Sequence, residues 1–347
     1  MSTTFIATNA ISTTLRISSM KSRAALAEAT KEATTGRLAD PGKSLGALAG
    51  RDVVLRAELV DIEKLVDTNA LVGGHMDVAQ QRVSVLIETA ESFQKDLLAA
   101  RNSANGGGII AQPAGANLQS LIATLNVTMD GQYLFGGINT GVAPIADYAA
   151  GSPGKTAIDA AFLATFGVAQ NSPLVSGITA ADMQNFLDTT LQTEFADPAW
   201  GANWSTASDQ VMRSRISTTQ TVNTSVSANE PAFRKLAMAY TMLSDLGTPN
   251  LNQAAFQAVI DTALLGIGNA INDLAGVGAR LGTAQQQTTD ATSRLQVQSD
   301  LITQQITAME TVDPAEASVR VTNLETQLDM SLALTARIQK LSILNYL

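Results

Sequence analysis

Few residues in this chain are placed to do chemistry. The single histidine, His75, stands between Gly74 and Met76 at what reads as a helix start, with no cysteine, second histidine or close carboxylate cluster to share a metal ion. It reads as a solvated turn residue. Ala149-Ala150-Gly151-Ser152-Pro153-Gly154-Lys155-Thr156 ends like a phosphate-binding loop, in which glycine amides cradle phosphates, lysine reaches them and the hydroxyl holds magnesium. Alanine, however, stands where that pattern needs its first glycine. Pro144-Ile145-Ala146-Asp147-Tyr148 is a poor strand to precede the loop, and no apolar strand ending in aspartate follows it. A nucleotide enzyme using Lys155 and Thr156 is therefore the minor alternative. Asp-rich calcium loops are missing as well, and Gly106-Gly107-Gly108 reads as a flexible turn. The expectation is a protein that is not an enzyme, with no catalytic, cofactor-binding or metal-binding residues.

Composition narrows the partners. The 347 residues are 45% hydrophobic, 15% charged and only 4% aromatic, which suits close-packed helices with small residues at their contacts. A net charge of -9 disfavours nucleic acid and anionic membrane surfaces. Without cysteine the fold is held by packing alone. Met1 to Thr8 lacks a basic or apolar leader and no run of 18 apolar residues occurs, so export by a cleaved signal and membrane spanning are not expected. A cytosolic protein and one exported by a route that reads an uncleaved N-terminus look alike on this count.

The elements carry more information than the reactive groups. Asp313-Pro314-Ala315-Glu316 combines an N-cap carboxylate, a first-turn proline and a capping-box glutamate. Val321, Leu324, Leu328, Leu332, Leu334, Ile338, Leu341 and Leu344 then follow at helical spacing. Before them, Val277, Leu281, Ala284, Thr288, Ala291, Leu295, Gln298, Ile302, Gln305, Met309 and Val312 keep the 3.5-residue coiled-coil rhythm. At about 1.5 Å per residue that rod spans roughly 50 Å. At the other end, Ile11, Leu15, Ser18, Ser22, Ala25, Ala29 and Ala33 form a weaker seam, which Gly36 can cap.

Between the ends, a second helix (Leu48 to Asn69) is expected to break at Gly73-Gly74, a third (Met76 to Ala100) to end at Gly106, and a fourth to cover about Ala114 to Asp130. The cluster Tyr133-Leu134-Phe135-Gly136-Gly137 follows. Glycine and proline punctuate the stretch from Ile138 to Ser205, and Gln210 to Ser227 is the strand candidate. Helices return after Pro231, from Leu251 to Leu274, and in the rod. The fold class expected is mainly α: an elongated antiparallel helical bundle or coiled coil from both chain ends, with a small β-containing segment and a mid-chain α/β or irregular insertion. Residues 1–40 and 313–347 would form an inner domain, 41–137 and 206–312 a rod, and 138–205 a variable outward domain.

Several of these stretches resemble the flagellin-like axial proteins, and most of all those at the hook-filament junction. Ile338-Gln339-Lys340-Leu341-Ser342-Ile343-Leu344-Asn345-Tyr346-Leu347 resembles the family's ending. Asp313-Pro314-Ala315-Glu316-Ala317 and Leu324-Glu325-Thr326-Gln327-Leu328 resemble the helix before it, and Val277-Gly278-Ala279-Arg280-Leu281 the opening of its penultimate helix. Gln132-Tyr133-Leu134-Phe135-Gly136-Gly137-Ile138-Asn139-Thr140 is similar to a turn of junction proteins. Thr35-Gly36-Arg37-Leu38-Ala39-Asp40-Pro41-Gly42 keeps the start of another family turn and lacks its second aspartate.

The resemblance implies an axial subunit exported unfolded through the flagellar type III apparatus, with a cytosolic chaperone on its C-terminal helix. It implies a homo-oligomeric ring between a neighbouring hook-associated protein and flagellin, with no nucleic acid or membrane as partner. Ile11, Leu15, Val321, Leu324, Leu328, Ile338, Leu341 and Leu344 would form the assembly interface. Tyr133, Leu134, Phe135, Gly136 and Gly137 would form the family turn. A filament flagellin and a secreted coiled-coil adhesin remain the alternatives.

Overall fold

The computed structural model describes the backbone of residues 2–103 and 105–344, with side chains at 10, 13–103 and 105–338. The first elements are α1 (Ser2–Thr35), the single turn α2 (Pro41–Ser44), α3 (Ala49–Ala100) and α4 (Gly106–Leu125). A hairpin of β1 (Thr128–Met129) and β2 (Gln132–Tyr133) follows. The punctuated stretch holds α5 (Pro153–Phe166), α6 (Ala180–Phe186), α7 (Gln192–Glu194) and α8 (Ala199–Asn203). A second hairpin, β3 (Arg213–Arg215) with β4 (Thr221–Asn223), precedes α9 (Pro231–Asp245), α10 (Gln253–Glu310) and α11 (Pro314–Leu344). The protein is mainly α, and its described sheets are two antiparallel pairs. It divides into one unit of residues 1–64 with 295–347 and a second of residues 65–294.

Gly73-Gly74 does not break the chain into two helices as expected, because α3 runs through it. The reason is register. Leu55, Ile62, Asn69, Met76, Val83, Ala90 and Leu97 recur every seven residues and are all buried, so one continuous seam spans both glycines. Each interior glycine costs about 1 kcal/mol against alanine, less than the burial of the long side chains on either side returns. The same holds in α10, where the expected boundary after Leu274 is absent. Its seam follows the four-three rhythm from Ala263 to Leu295 and then slips by one residue, burying Ile302 and Ile306 while Gln298 and Gln305 face outward. The slip is a stutter of the heptad.

Gly106 to Gly108 is not a flexible turn but the first turn of α4. A Cβ on Gly106 would lie 2.2 Å from the Ala100 carbonyl oxygen, and one on Gly107 2.1 Å from that of Thr248, so the glycines permit close backbone crossings. The far end of α4 stops at Leu125, not near Asp130. Asp130 (φ 52°) and Gly131 (φ 77°) are the two central residues of the β1–β2 turn, with Met129 paired to Gln132 across it. Two left-handed residues in a two-residue loop define the turn that matches strand twist. The expected strand at Gln210 to Ser227 is a hairpin, pairing Ser214 with Val222.

Within residues 65–294, one apolar cluster joins Met76, Phe93, Leu118, Phe135, Phe233 and Tyr240 with Ile158, Phe162, Phe186, Trp200 and Trp204 of the punctuated stretch. Phe135 meets Phe233 edge-on at 5.7 Å, and Trp204 stacks on Tyr148 at 4.9 Å. Asn69, buried on α3, donates from its Nδ2 to the Ile216 carbonyl and to Thr292 Oγ1, both at 3.0 Å. By hydropathy and length alone α10 could cross a membrane, while Ala255, Phe256, Val259, Ile260, Ala263 and Ile267 lie in the core.

Candidate assembly surface

The terminal helices form a site of their own within the unit of residues 1–64 and 295–347. Gly36, in the left-handed region at φ 65°, closes α1, its N–H bonding the Glu32 carbonyl at 2.8 Å. The Asp313 carboxylate opens α11 by accepting the Ala315 N–H at 2.8 Å. Because Arg37 and Thr311 form an antiparallel bridge, α1 leaves and α11 returns along it.

The seam of α11 is Ala317, Val321, Leu324, Leu328, Ser331, Thr335 and Ile338, buried or half-buried at alternating steps of four and three. On α1 the matching positions are Leu15, Ser19, Ser22, Ala25, Leu26, Ala29 and Ala33. Leu15, Val321, Leu324, Leu328 and Ile338 of the expected interface thus lie half-buried in their own chain. Ile11, Leu341 and Leu344 lie outside the described side chains. Leu332 (42% exposed) and Leu334 (50%) do not continue the stripe as expected, since Ser331 and Thr335 take the seam positions.

The apolar groups facing outward from the pair are therefore Ile17 and Met20 on α1 and Val319, Met330, Leu332 and Leu334 on α11. An open groove beside the seam, lined by Leu26, Ala27, Thr30, Thr34 and Leu328, is rimmed by Arg23 and Lys31. Sequence reasoning missed this outward set because a leucine-rich stripe at mixed spacing does not say which leucines face the partner helix. The periodicity of the small residues Ser331 and Thr335 does.

The family turn belongs to the second unit and is a backbone crossing. Tyr133 ends β2, Leu134 and Phe135 are buried, and the Phe135 carbonyl accepts the Ala228 N–H at 2.7 Å. Gly136 accepts from Ser208 N–H at 3.0 Å, and the Ile138 N–H reaches the Gln210 carbonyl at 3.0 Å. Gly137 has φ 63°, and a Cβ there would lie 2.4 Å from the Ser208 oxygen and 2.6 Å from that of Gln210. The turn fastens the chain before 138 to the chain after 205.

The residues singled out for chemistry are occupied otherwise. His75 is not a solvated turn residue. It sits inside α3, its side chain 18% exposed, with Nε2 3.2 Å from Asp130 Oδ2 at the β1–β2 turn. In the phosphate-loop lookalike, Ser152 caps α5, and Gly154 is glycine because a Cβ would come within 3.0 Å of the Trp204 indole. Lys155 Nζ contacts Asp159 Oδ1 at 2.6 Å and Asp245 Oδ1 at 2.9 Å, while Tyr148 donates to Asp245 Oδ2 at 2.5 Å. Burial pulls the Lys155 ammonium down, but the bonds and charges of Asp159 and Asp245 more than offset it and hold it above the usual lysine value. Burial likewise pushes the Tyr148 hydroxyl far up, aided by Asp245. Burial raises Asp245 too, against the lowering effect of Tyr148 and Lys155. A lysine held between two carboxylates is poorly placed to receive a phosphate. Among the described residues no group of histidine, cysteine, aspartate or glutamate could hold a metal ion.

The fold is mainly α, and its paired terminal helices leave Ile17, Met20, Val319, Met330, Leu332 and Leu334 exposed. Residues 6–140 match the bacterial flagellin N-terminal helical region, and residues 264–347 match the bacterial flagellin C-terminal helical region, together well over half of the chain. The chain belongs to the flagellin-like family of axial proteins, structural components of the bacterial flagellum. Among solved structures, one described as a flagellar hook-associated protein from Vibrio parahaemolyticus shares the fold at TM-score 0.52. It is 11% identical, with 75% of this chain and 96% of that one covered. A search of curated proteins finds no match.

Proposed function

We propose that this chain is an adaptor at the junction of hook and filament, forming a ring through its terminal helices with a hook-associated protein on one side and flagellin on the other. The observation that carries the reading is that Ile17, Met20, Leu332 and Leu334 stay exposed on helices whose seam is already filled. Apolar groups left exposed beside a filled seam suit an association surface. The Tyr133 to Gly137 turn and the name of the Vibrio parahaemolyticus structure support the junction position. On the same reading the subunit leaves the cell unfolded through the flagellar type III apparatus, a cytosolic chaperone holds its C-terminal helix, and residues 138–205 face outward. The terminal assembly interface would combine these exposed residues with Ile11, Leu341 and Leu344.

Deleting the gene tests the reading. The expected phenotype is hooks without filaments and flagellin lost to the medium; intact motility would instead favour a secreted adhesin. Leu332→Asp with Leu334→Asp should abolish oligomerisation at unchanged helix content. A second reading, filament subunit, is favoured by both family descriptions being of flagellin. Purified protein that grows into long filaments with no hook-side partner would establish it over the adaptor.

A further inference from the structure

The turn Thr35 to Asp40 and the elbow between α10 and α11 meet in a cluster that neither the fold nor the assembly reading uses. Backbone bonds clamp the two segments: Leu38 N–H to the Glu310 carbonyl at 2.8 Å, and Val312 N–H to the Gly36 carbonyl at 2.9 Å. Around this clamp lie three carboxylates withdrawn from water, Glu310 (3% exposed), Asp52 (5%) and Glu32 (7%). Among the described residues, two guanidiniums are paired with them, and both are about half exposed. Arg56 Nη2 contacts Glu310 Oε1 and its Nε contacts Asp52 Oδ2 at 3.0 Å; Arg320 Nη1 reaches Glu32 Oε2 at 3.3 Å. Glu32 Oε1 also accepts the Ala39 N–H at 3.2 Å, while Asp52 Oδ1 is buried with no partner.

Carboxylates outnumber cations here, and a buried charge that loses its partner is far costlier than the same pair removed whole. Arg56 is shared by two of the three, so it is the group whose loss the cluster tolerates least. We propose that Arg56 is the bolt of a charge latch: reaching from α3 to Glu310 and Asp52, it holds shut the clamp between the Gly36 turn and the α10–α11 elbow. With the latch closed, α11 leaves the elbow along α1. With it open, the clamp bonds are lost first and the helix pair is free to reseat. Only that last consequence rests on reading the pair as the assembly surface.

Hydrogen exchange on the full-length free chain tests the latch without reference to assembly. Arg56→Met should speed exchange about 10- to 100-fold in peptides covering 36–40 and 310–314, between the scales of an exposed and a fully buried pair because Arg56 is half exposed, and leave 231–245 in α9 unchanged. Adding Asp52→Asn and Glu310→Gln, which removes the stranded charges, should restore most of the protection. Wild-type exchange in Arg56→Met overturns the proposal. So does a triple variant as open as the single one, since the loss would then be of packing. Faster exchange in α9 as well would also overturn it, by showing general unfolding in place of a local latch.

Discussion

Glycine at Gly137 answers to two separate demands, a left-handed backbone and carbonyl oxygens from Ser208 and Gln210 where a Cβ would stand. Gly137→Ala should therefore destabilise the protein by about 2–4 kcal/mol, combining the left-handed penalty with overpacking. Chemical denaturation checks this, and an unchanged midpoint would mean that the crossing relaxes freely. Gly154 and Gly107 are glycines for the same kind of reason, close approach of an indole and of a backbone. This is why a motif that looks like a phosphate cradle turns out to be a packing site: Gly151, Ser152 and Gly154 serve a turn, a cap and a tryptophan. At this scale the sequence was readable for residue type and not for cause. His75 shows the same limit, since its partner Asp130 is 55 residues distant in the chain.

Helices were the most legible elements, because the four-three rhythm of buried positions is written along the chain. Glycine misleads as punctuation where the register of buried positions runs through it. Leu55 to Leu97 at sevenfold spacing already argues for one helix through Gly73-Gly74. Asp130-Gly131, the strongest short hairpin signal available, was hidden by continuing a helix over it. The outward face of α11 was hard to read for a different reason: leucine supplies both seam and surface there, and the seam rhythm passes through Ser331 and Thr335 instead of Leu332 and Leu334. Because an added Cβ at Gly73 meets nothing within 4 Å, Gly73→Ala should stabilise the chain by about 0.5–1 kcal/mol through helix propensity. Thermal unfolding measures it; a loss of stability would show that the site needs its flexibility.

The two units are built from different materials. Residues 65–294 hold Trp200, Trp204 and the large aromatic core, whereas the α1–α11 seam is mostly alanine and serine on the α1 side and gains less per residue buried. The terminal unit should accordingly melt first. Far-ultraviolet circular dichroism is expected to fall while tryptophan emission, which reports only on the second unit, stays native; coincident transitions would refute two separately stable units. The buried amide of Asn69 has a last implication. Its nitrogen is matched to one hydroxyl on α10 and one carbonyl of the β3–β4 hairpin, so sliding α3 against α10 by a turn would strand it among apolar groups at about 1–3 kcal/mol. Together with Arg101 on Asp261 and Gln285 on Asp77, it marks which residues of two otherwise repetitive helices stand opposite each other.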